Sequence, residues 1–178
     1  MTDSEEQVVL VNDKDEPIGT MDKLQAHRNG ALHRAFSIFL FDDHGRLLLQ
    51  RRAEGKYHSP GLWTNTCCGH PRPGEHVALA AQRRLLEEMG LEVRLEQRFQ
   101  FLYHAEFENG MVEHELDHVL FGPVSDPPVP DPTEVQDWCY TELQDLDADL
   151  RARPERYTAW LHRCWPTVLQ HAEAIGIG

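Results

Sequence analysis

The chain has 178 residues, a length that fits one domain with a hydrophobic core of its own. Hydrophobic residues make up 40% of it and charged residues 26%, which is typical of a globular protein and excludes a disordered one. The formal net charge of −13 disfavours binding to nucleic acid or to an anionic membrane surface, because both carry negative charge themselves. Any anionic ligand must therefore be held by a local group of basic residues.

The cysteines and the N-terminus indicate the compartment. Cys67 and Cys68 are adjacent, and Cys139 and Cys164 are scattered, which is unlike the disulfide framework of a small secreted protein. The N-terminal sequence MTDSEEQ has neither the basic nor the apolar region of a signal peptide. The longest apolar run, residues 35–41, is too short to span a bilayer. These features predict a cytoplasmic protein.

The N-terminal part is predicted to form a strand, a turn and a helix. Residues 7–12 (QVVLVN) have the composition of a strand, and residues 12–16 form a polar turn. Residues 19–30 are polar and are predicted to begin as a short helix. Such a helix would place Lys23 and His27 on one face, because they are four positions apart.

A buried central strand is predicted for residues 33–42 (HRAFSIFLFD), which are rich in β-branched and aromatic side chains. Residues 42–45 (DDHG) are typical of a hairpin turn, so residues 46–52 are predicted to return as the antiparallel partner. A basic cluster follows, which could form an anion site or could only supply charge for solubility. It consists of Arg51, Arg52 and Lys56.

Helical periodicity marks residues 76–89, and Gly90 is a suitable residue to end this helix. Charged residues occupy much of the opposite side, where Arg83 can pair with Glu87 and Arg84 with Glu88. These pairs could form a solvated surface without any function. The predicted apolar face consists of Ala78, Leu79, Ala81, Leu85, Leu86 and Met89.

Residues 99–107 and 111–121 read as two strands joined by an Asn-Gly hairpin turn. Glu113 and Glu115 lie two positions apart in the second strand, so both side chains project from the same face. Two carboxylates side by side repel each other unless a cation or a proton lies between them. This face is therefore a candidate metal or proton-transfer site.

The C-terminal part is predicted to contain a loop, a strand and two helices. Residues 122–133 are rich in proline and polar residues and form a surface loop, followed by a strand at 134–140. Residues 142–150 form a short acidic helix. An amphipathic helix covers residues 154–175, with a bend expected at Pro166.

Imidazoles and carboxylates together suit a divalent metal such as Zn²⁺, Mn²⁺ or Mg²⁺, and the imidazoles favour a softer ion than Mg²⁺. The chain has 11 histidines, so some of them are ordinary surface residues. The candidate ligands are His27, His33, His70, Glu113 and Glu115.

Cys68 lies two residues before His70 and could act as a nucleophile or as an acid–base group. A free cysteine is also commonly a small buried apolar residue, and the sequence alone leaves both readings open. Three aromatic residues, Trp63, Tyr103 and Trp160, fit a hydrophobic core better than a cation-binding box.

The segment around the helix resembles a Nudix box, G-x5-E-x7-R-E-U-x-E-E-x-G-U. It departs from that pattern at Arg84, which stands where the box has a glutamate that binds metal in many Nudix hydrolases. This charge reversal disfavours ordinary Nudix hydrolysis. The matching residues are Gly69, Glu75, Arg83, Leu85, Glu87, Glu88, Gly90 and Leu91.

Further motifs make the chain similar to type I isopentenyl-diphosphate isomerases. They are the histidine pair His27 and His33, the stretch SPGLWTNTCCGHP and the Glu113-His114-Glu115 triplet. The resemblance covers nearly the whole chain and implies one α/β domain over residues 1–178, with a core of about 8–165. It implies a Nudix-type sandwich, in which a mixed β-sheet is flanked by helices.

The resemblance also implies roles for individual residues. Cys68 and Glu115 match the two acid–base residues, Tyr103 a tyrosine beside the glutamate, and Trp160 an aromatic side chain over the hydrocarbon. A divalent metal (Mn²⁺, Zn²⁺ or Mg²⁺) would bind the His/Glu ligands named above, and a Mg²⁺ that bridges the diphosphate would contact Glu88. The residues that match diphosphate-binding positions are Lys23, Arg52, Lys56 and Arg84.

The resemblance implies an isomerase that shifts the double bond of isopentenyl diphosphate to give dimethylallyl diphosphate. Its partner would be this small isoprenoid diphosphate, with no nucleic acid and no membrane, and the protein would be a monomer or a weak homodimer. One alternative is a Nudix diphosphohydrolase. The other is a non-catalytic binding module in which the same side chains hold a structural metal.

Overall fold

The computed structural model describes residues 6–177, in which one mixed sheet of nine strands packs against helices. The strands are β1 (Gln7–Val11), β2 (Pro17–Asp22), β3 (His33–Phe41), β4 (Leu47–Arg52), β5 (Trp63–Thr64), β6 (Cys67–Gly69), β7 (Glu96–Glu106), β8 (Val112–Pro123) and β9 (Val135–Thr141). The α-helices are α1 (Lys23–Asn29), α2 (Val77–Met89), α3 (Leu143–Ala152) and α4 (Ala159–Ala174), with a 3₁₀ turn at Pro154–Arg156.

Strand β3 is the centre of the sheet. One of its edges pairs in parallel with β8, with His33 opposite Glu115. Its other edge meets three strands in turn, which are β1, β6 and β4, and Ser37 lies opposite Cys68 of β6. The segments that carry Cys68 and Glu115 therefore flank the same strand from its two sides.

Helices cover both faces of the sheet. Phe36, Ile38 and Leu40 of β3 pack toward α2, whereas Phe39 and Phe41 pack toward α3 and α4. This alternation is the pattern of a strand buried on both faces. The predicted sandwich of a mixed sheet between helices is thus confirmed. Among residues 6–177, none of the helices combines the length and the apolar character needed to cross a bilayer.

The predicted helical start at residue 19 is wrong. Strand β2 continues to Asp22 because it pairs with β1 along its whole length, and α1 begins only at Lys23. The Asp22 carboxylate accepts a hydrogen bond from the Gln25 amide at 2.9 Å and so caps the helix. Lys23 and His27 still share one face of α1, and both are buried.

The predicted hairpin between β3 and β4 is also wrong beyond the turn, because the two strands pair only at Phe41 and Leu47. Thr66 separates them further along. Its amide donates to Ile38 O at 3.1 Å, and its hydroxyl donates to Leu48 O at 2.6 Å. Strand β4 pairs instead with β9 and β5.

The predicted apolar face of α2 is only partly correct. Ala78, Leu79 and Leu86 are exposed, whereas the helix buries Ala80, Ala81, Leu85 and Met89. The buried stripe is therefore rotated toward Glu88, which is buried with it.

The C-terminal helix begins later than predicted. The Thr158 amide donates to Trp63 O at 3.0 Å. This bond to β5 separates the 3₁₀ turn from α4. The Thr158 and Thr64 hydroxyls lie 2.8 Å apart, so the start of α4 is attached to β5. This attachment brings Trp160, in the first turn of α4, next to the segment that carries Cys68.

Gly90 ends α2 with a left-handed backbone, at φ 65°, and a Cβ atom there would lie 2.7 Å from the Val129 carbonyl oxygen. We expect Gly90→Ala to lower the free energy of unfolding by about 1–2 kcal/mol from the backbone conformation alone, with the contact adding to it. Urea denaturation would measure this. Gly55→Ala is the control, because a Cβ atom at Gly55 meets nothing within 4 Å. Equal stability of the two variants would contradict the argument.

Candidate active site

Most of the predicted site residues line one small cavity of about 60 Å³. Three others, His27, His33 and Tyr103, are buried and do not form part of its lining. The cavity therefore joins segments that are distant in sequence. The predicted residues in its lining are Lys23, Arg52, Lys56, Cys68, His70, Arg84, Glu88, Glu113, Glu115 and Trp160.

Three histidines and one glutamate converge beside this cavity. The ligand atoms of His27, His33, His70 and Glu115 all lie within 4.8 Å of one another. The Nε2 atoms of His70, His33 and His27 lie 2.9, 3.5 and 3.9 Å from Glu115 Oε1, and His33 Nε2 is 3.3 Å from His70 Nε2. Four ligands at about 2.0–2.1 Å from a tetrahedral ion would be about 3.3–3.4 Å apart. These separations fit a divalent metal.

Hydrogen bonds also orient two of the imidazole rings for metal binding. His27 Nδ1 donates to Lys23 O at 2.7 Å, and His33 Nδ1 donates to Ala31 O at 2.8 Å. A carbonyl oxygen only accepts, so each Nδ1 carries the proton and each Nε2 of a neutral ring has a free lone pair. Burial lowers the pKa of His27 to about 4, and burial also lowers the pKa of His70. The rings of His27 and His70 are thus neutral at pH 7, as the imidazole of a metal ligand must be.

Glu113, a predicted ligand, belongs to a different group. Its Oε1 atom lies 3.1 Å from His58 Nε2, and it forms a second cluster with His58 and His27. Its Oε2 atom is buried and has no hydrogen-bond partner among the described residues. An orphaned buried carboxylate oxygen is the feature expected of a group that awaits a cation.

The environment shifts the two glutamates in opposite directions. Burial and then the neighbouring Glu115 charge raise the pKa of Glu113 well above its ordinary value. Burial also acts to raise the pKa of Glu115, but its contacts with His33 and His70 outweigh burial and hold that pKa well below its ordinary value. The two stacked carboxylates thus differ in acidity, with Glu115 the more acidic of the pair.

Cys68 lies in a polar pocket of the cavity wall. Its Sγ donates to Asn65 Oδ1 at 3.2 Å and lies 3.7 Å from Ser37 Oγ. The Ser37 hydroxyl in turn donates to Asp117 Oδ2 at 2.7 Å. Burial, followed by the Asp117 charge, raises the pKa of Cys68 to about 12, so the group is a thiol at neutral pH. Cys67 is separate from this pocket, since its Sγ lies 3.5 Å from Glu88 Oε2.

Asn65 joins the thiol to the aromatic wall. Its Oδ1 atom accepts from the Trp160 Nε1 at 3.1 Å as well as from Cys68. Its Nδ2 atom donates to Ile38 O at 3.1 Å and to Cys67 O at 2.9 Å. A cation also approaches the indole, because the Arg52 guanidinium carbon lies 5.2 Å from the ring centroid of Trp160. One buried amide therefore fixes Cys68 and Trp160 relative to each other.

Four cations line the cavity, and each contacts oxygen acceptors of the protein. Arg52 donates to Ser59 O and His58 O at 3.2 and 3.1 Å. Lys23 lies 3.0 Å from Glu6 Oε2, and Lys56 forms an ion pair with Glu134. The cations are thus already oriented without an external anion.

Arg84 is surrounded by carboxylates. It lies 2.6 Å from Glu87 and 3.3 Å from Glu134, and it forms an ion pair with Glu88. Glu88 also accepts from Gln50 Nε2 at 3.1 Å and is not part of the His/Glu group. The predicted pairing of Arg83 with Glu87 is present at 3.3 Å, although Arg83 also lies 2.8 Å from Glu75.

The sequence analysis missed several residues around the cavity. Asp117 continues the alternation of Glu113 and Glu115 along β8, so its position could have been predicted. His58 and Asn65 lie in irregular or very short segments, where no periodicity indicates the direction of a side chain.

Comparison with known proteins identifies the family. The NUDIX domain model matches residues 31–161. The chain is 52% identical over 174 residues to isopentenyl-diphosphate Delta-isomerase 2 of Aromatoleum aromaticum, covering 98% of this chain and 92% of that protein. It is 49% identical over 156 residues to the isopentenyl-diphosphate Delta-isomerase of Serratia proteamaculans, covering 88% and 87% of the two chains.

Solved structures agree at the level of the fold. A crystal structure from Deinococcus radiodurans matches with a TM-score of 0.77 and 22% identity, covering 91% of this chain and 98% of the other. The MutT protein of Methanosarcina mazei matches with a TM-score of 0.65 and 16% identity, covering 82% and 96%. The chain belongs to the Nudix superfamily and, within it, to the isopentenyl-diphosphate Delta-isomerase family.

Proposed function

We propose that this protein interconverts isopentenyl diphosphate and dimethylallyl diphosphate. The observation that carries the proposal is that Cys68 and Glu115 both line one cavity, which also has four cations in its lining. The relatives named above, at about half identity over nearly the whole chain, support the same activity.

The reaction moves one proton onto the substrate and another proton off it. A donor forms a C–H bond with the terminal alkene carbon and leaves positive charge at the tertiary carbon. A base then takes a proton from the adjacent carbon, and that electron pair becomes the new double bond. Cys68 and Glu115 supply the two groups, because they lie in strands on opposite edges of β3 and face the same cavity. Their roles exchange in the reverse direction.

The remaining residues protect and position the reacting carbons. The indole face of Trp160 would stabilise the developing cation by about 2 kcal/mol in a site without water. Trp160 is buried and held by Asn65, so its orientation is set before substrate binds. Tyr103 lies opposite Glu115 in the β7–β8 ladder, and its buried hydroxyl has no hydrogen-bond partner among the described residues. We assign Tyr103 a role beside the carboxylates of Glu113 and Glu115.

The ionic part of the site would hold the diphosphate. We assign this role to Lys23, Arg52, Lys56 and Arg84, which surround the cavity, and the contact with a diphosphate-bound Mg²⁺ to Glu88. A second divalent ion, Mn²⁺, Zn²⁺ or Mg²⁺, would bind His27, His33, His70 and Glu115, together with Glu113. When bound, such an ion supplies positive charge that fixes the glutamates and tunes their acidity.

The direct test is incubation of the purified protein with isopentenyl diphosphate in D₂O, with Mg²⁺ and with Mn²⁺ or Zn²⁺. We expect the allylic isomer to form and deuterium to enter its new methyl group, since the added proton comes from an exchangeable group. A chelator should abolish the conversion, and added metal should restore it. Release of phosphate without isomer would instead favour a hydrolase, and formation of neither product would favour a binding module.

We also propose a cytoplasmic location and a monomer or a weak homodimer. The four cysteines are free thiols, which supports a reducing cytoplasm. A monomer or a weak homodimer is expected, and analytical ultracentrifugation over a range of protein concentrations measures it.

A further inference from the structure

His58 lies between the cation-lined part of the cavity and the metal ligands. It belongs to the loop between β4 and β5, and its carbonyl oxygen accepts from Arg52 Nη2 at 3.1 Å. Its ring is 6% exposed and lies 3.1 Å, through Nε2, from Glu113 Oε1. A buried imidazole beside a buried carboxylate is an unusual arrangement for a residue of an irregular loop.

Aromatic neighbours hold this ring in place. It stacks on Phe107 with a centroid distance of 5.3 Å and an interplanar angle of 18°. It meets Trp160 edge-on at 5.8 Å and Tyr57 at 4.5 Å. With three such contacts, the ring has little freedom to turn away from Glu113.

The contact with His58 gives the two oxygens of the Glu113 carboxylate different surroundings. Nε2 of His58 lies within donating distance of Oε1, at 3.1 Å. A carboxylate must be ionised to bind a metal, and an ionised carboxylate oxygen only accepts, so Nε2 is the donor when a metal is bound. The other oxygen, Oε2, is buried and has no hydrogen-bond partner in residues 6–177. One oxygen is therefore occupied by the imidazole, and the other is left for a cation.

We propose that His58 is a positioning residue that orients Glu113 as a metal ligand, by donating to one carboxylate oxygen and leaving the other free to bind. Hydrogen bonds from outside the ligand set commonly orient ligating carboxylates, and their loss weakens metal binding. This inference rests on the metal centre proposed above, and it adds a residue that is not itself one of the ligands assigned there.

The test measures metal affinity and not turnover. Metal-free protein is titrated with Co²⁺ against a competing chelator, and the visible spectrum of the bound ion is recorded. We expect His58→Phe, which keeps the shape of the ring but loses the donor, to weaken Co²⁺ binding by about 10–100-fold and to alter the spectrum. We expect His58→Gln, whose amide can donate from nearly the same place, to restore binding close to that of the wild type.

A double-mutant cycle shows whether His58 acts through Glu113. If it does, adding His58→Phe to Glu113→Gln weakens Co²⁺ binding no further than Glu113→Gln alone. Additive effects would overturn the proposal, and so would equal losses for His58→Phe and His58→Gln, which would make the imidazole a ligand. Unchanged binding by His58→Phe would overturn it as well.

Two controls separate this inference from other failures. His44→Phe changes an exposed histidine in the turn between β3 and β4 and should leave Co²⁺ binding unchanged. Thermal unfolding of each metal-free variant shows whether the fold is intact, and His58→Gln keeps the test valid if His58→Phe does not fold. Failure of the wild type to bind Co²⁺ would defeat the metal centre itself, whereas equal binding by wild type and His58→Phe would defeat only the role of His58.

Discussion

Cys68→Ala is expected to lower the rate of isomerisation by about 10²–10⁴-fold, the range for loss of one acid–base group. The sulfur is removed from a pocket where it donates to Asn65 at 3.2 Å, and no other described thiol lines the cavity. The His/Glu group contains no sulfur, so metal content should be unchanged. Steady-state kinetics with isopentenyl diphosphate, together with metal analysis of the same sample, would measure both quantities.

Cys67→Ala is the matched control for this change. The two cysteines are adjacent, yet Cys67 is fully buried in the core beside α2 and points toward Glu88. We expect this variant to lose some stability, because a buried sulfur is removed, while most of its activity remains. Substantial turnover by Cys68→Ala, or an equal loss in both variants, would contradict the role assigned to the Cys68 thiol.

Glu115→Gln is expected to lower kcat by about 10⁴-fold, the upper end of the range for a single acid–base group. We propose two functions for this side chain, since it accepts from His70 Nε2 at 2.9 Å in the His/Glu group and also lines the cavity. The amide cannot transfer the proton and is a poorer metal ligand. We therefore expect weaker metal binding as well, detected by titration of the metal-free protein.

Glu106→Gln tests whether any charge loss on the β7–β8 hairpin has the same effect. Glu106 is exposed at the end of β7, outside the cavity lining, and its replacement should leave both kcat and metal affinity unchanged. If excess metal restored full activity to Glu115→Gln, the carboxylate would be a ligand only, and its role in proton transfer would be refuted.

The strands and helices with strong periodicity could be predicted from the sequence, and within a strand so could the residues that share one face. Glu113 and Glu115 are an example, because alternation along a strand determines the direction of each side chain. The resemblance pointed to His27, His33 and His70, and the structure brings these residues together with Glu115. The metal-binding group was therefore largely predictable as a set of residues.

The contacts that depend on tertiary structure could not be predicted. The pairing of β3 with β4 was expected from a good turn sequence, but Thr66 satisfies backbone groups of both strands and separates them. The approach of His58 to Glu113 joins a loop to a strand, and neither local propensity nor spacing encodes it. The same applies to Asn65, whose five hydrogen-bonding contacts come from four different segments.

The carboxylates around Arg84 have a consequence for how the cleft responds to its surroundings. In a hydrolase-like box, a glutamate in this place would add to the negative charge of Glu87, Glu88 and Glu134, and the cluster would be stable only with a dissolved ion bound to it. The guanidinium is instead a counterion attached covalently to the backbone, with an occupancy that does not vary with salt or metal supply. Part of the charge compensation on this side of the cleft is therefore inherited with the polypeptide and needs no ion from solution.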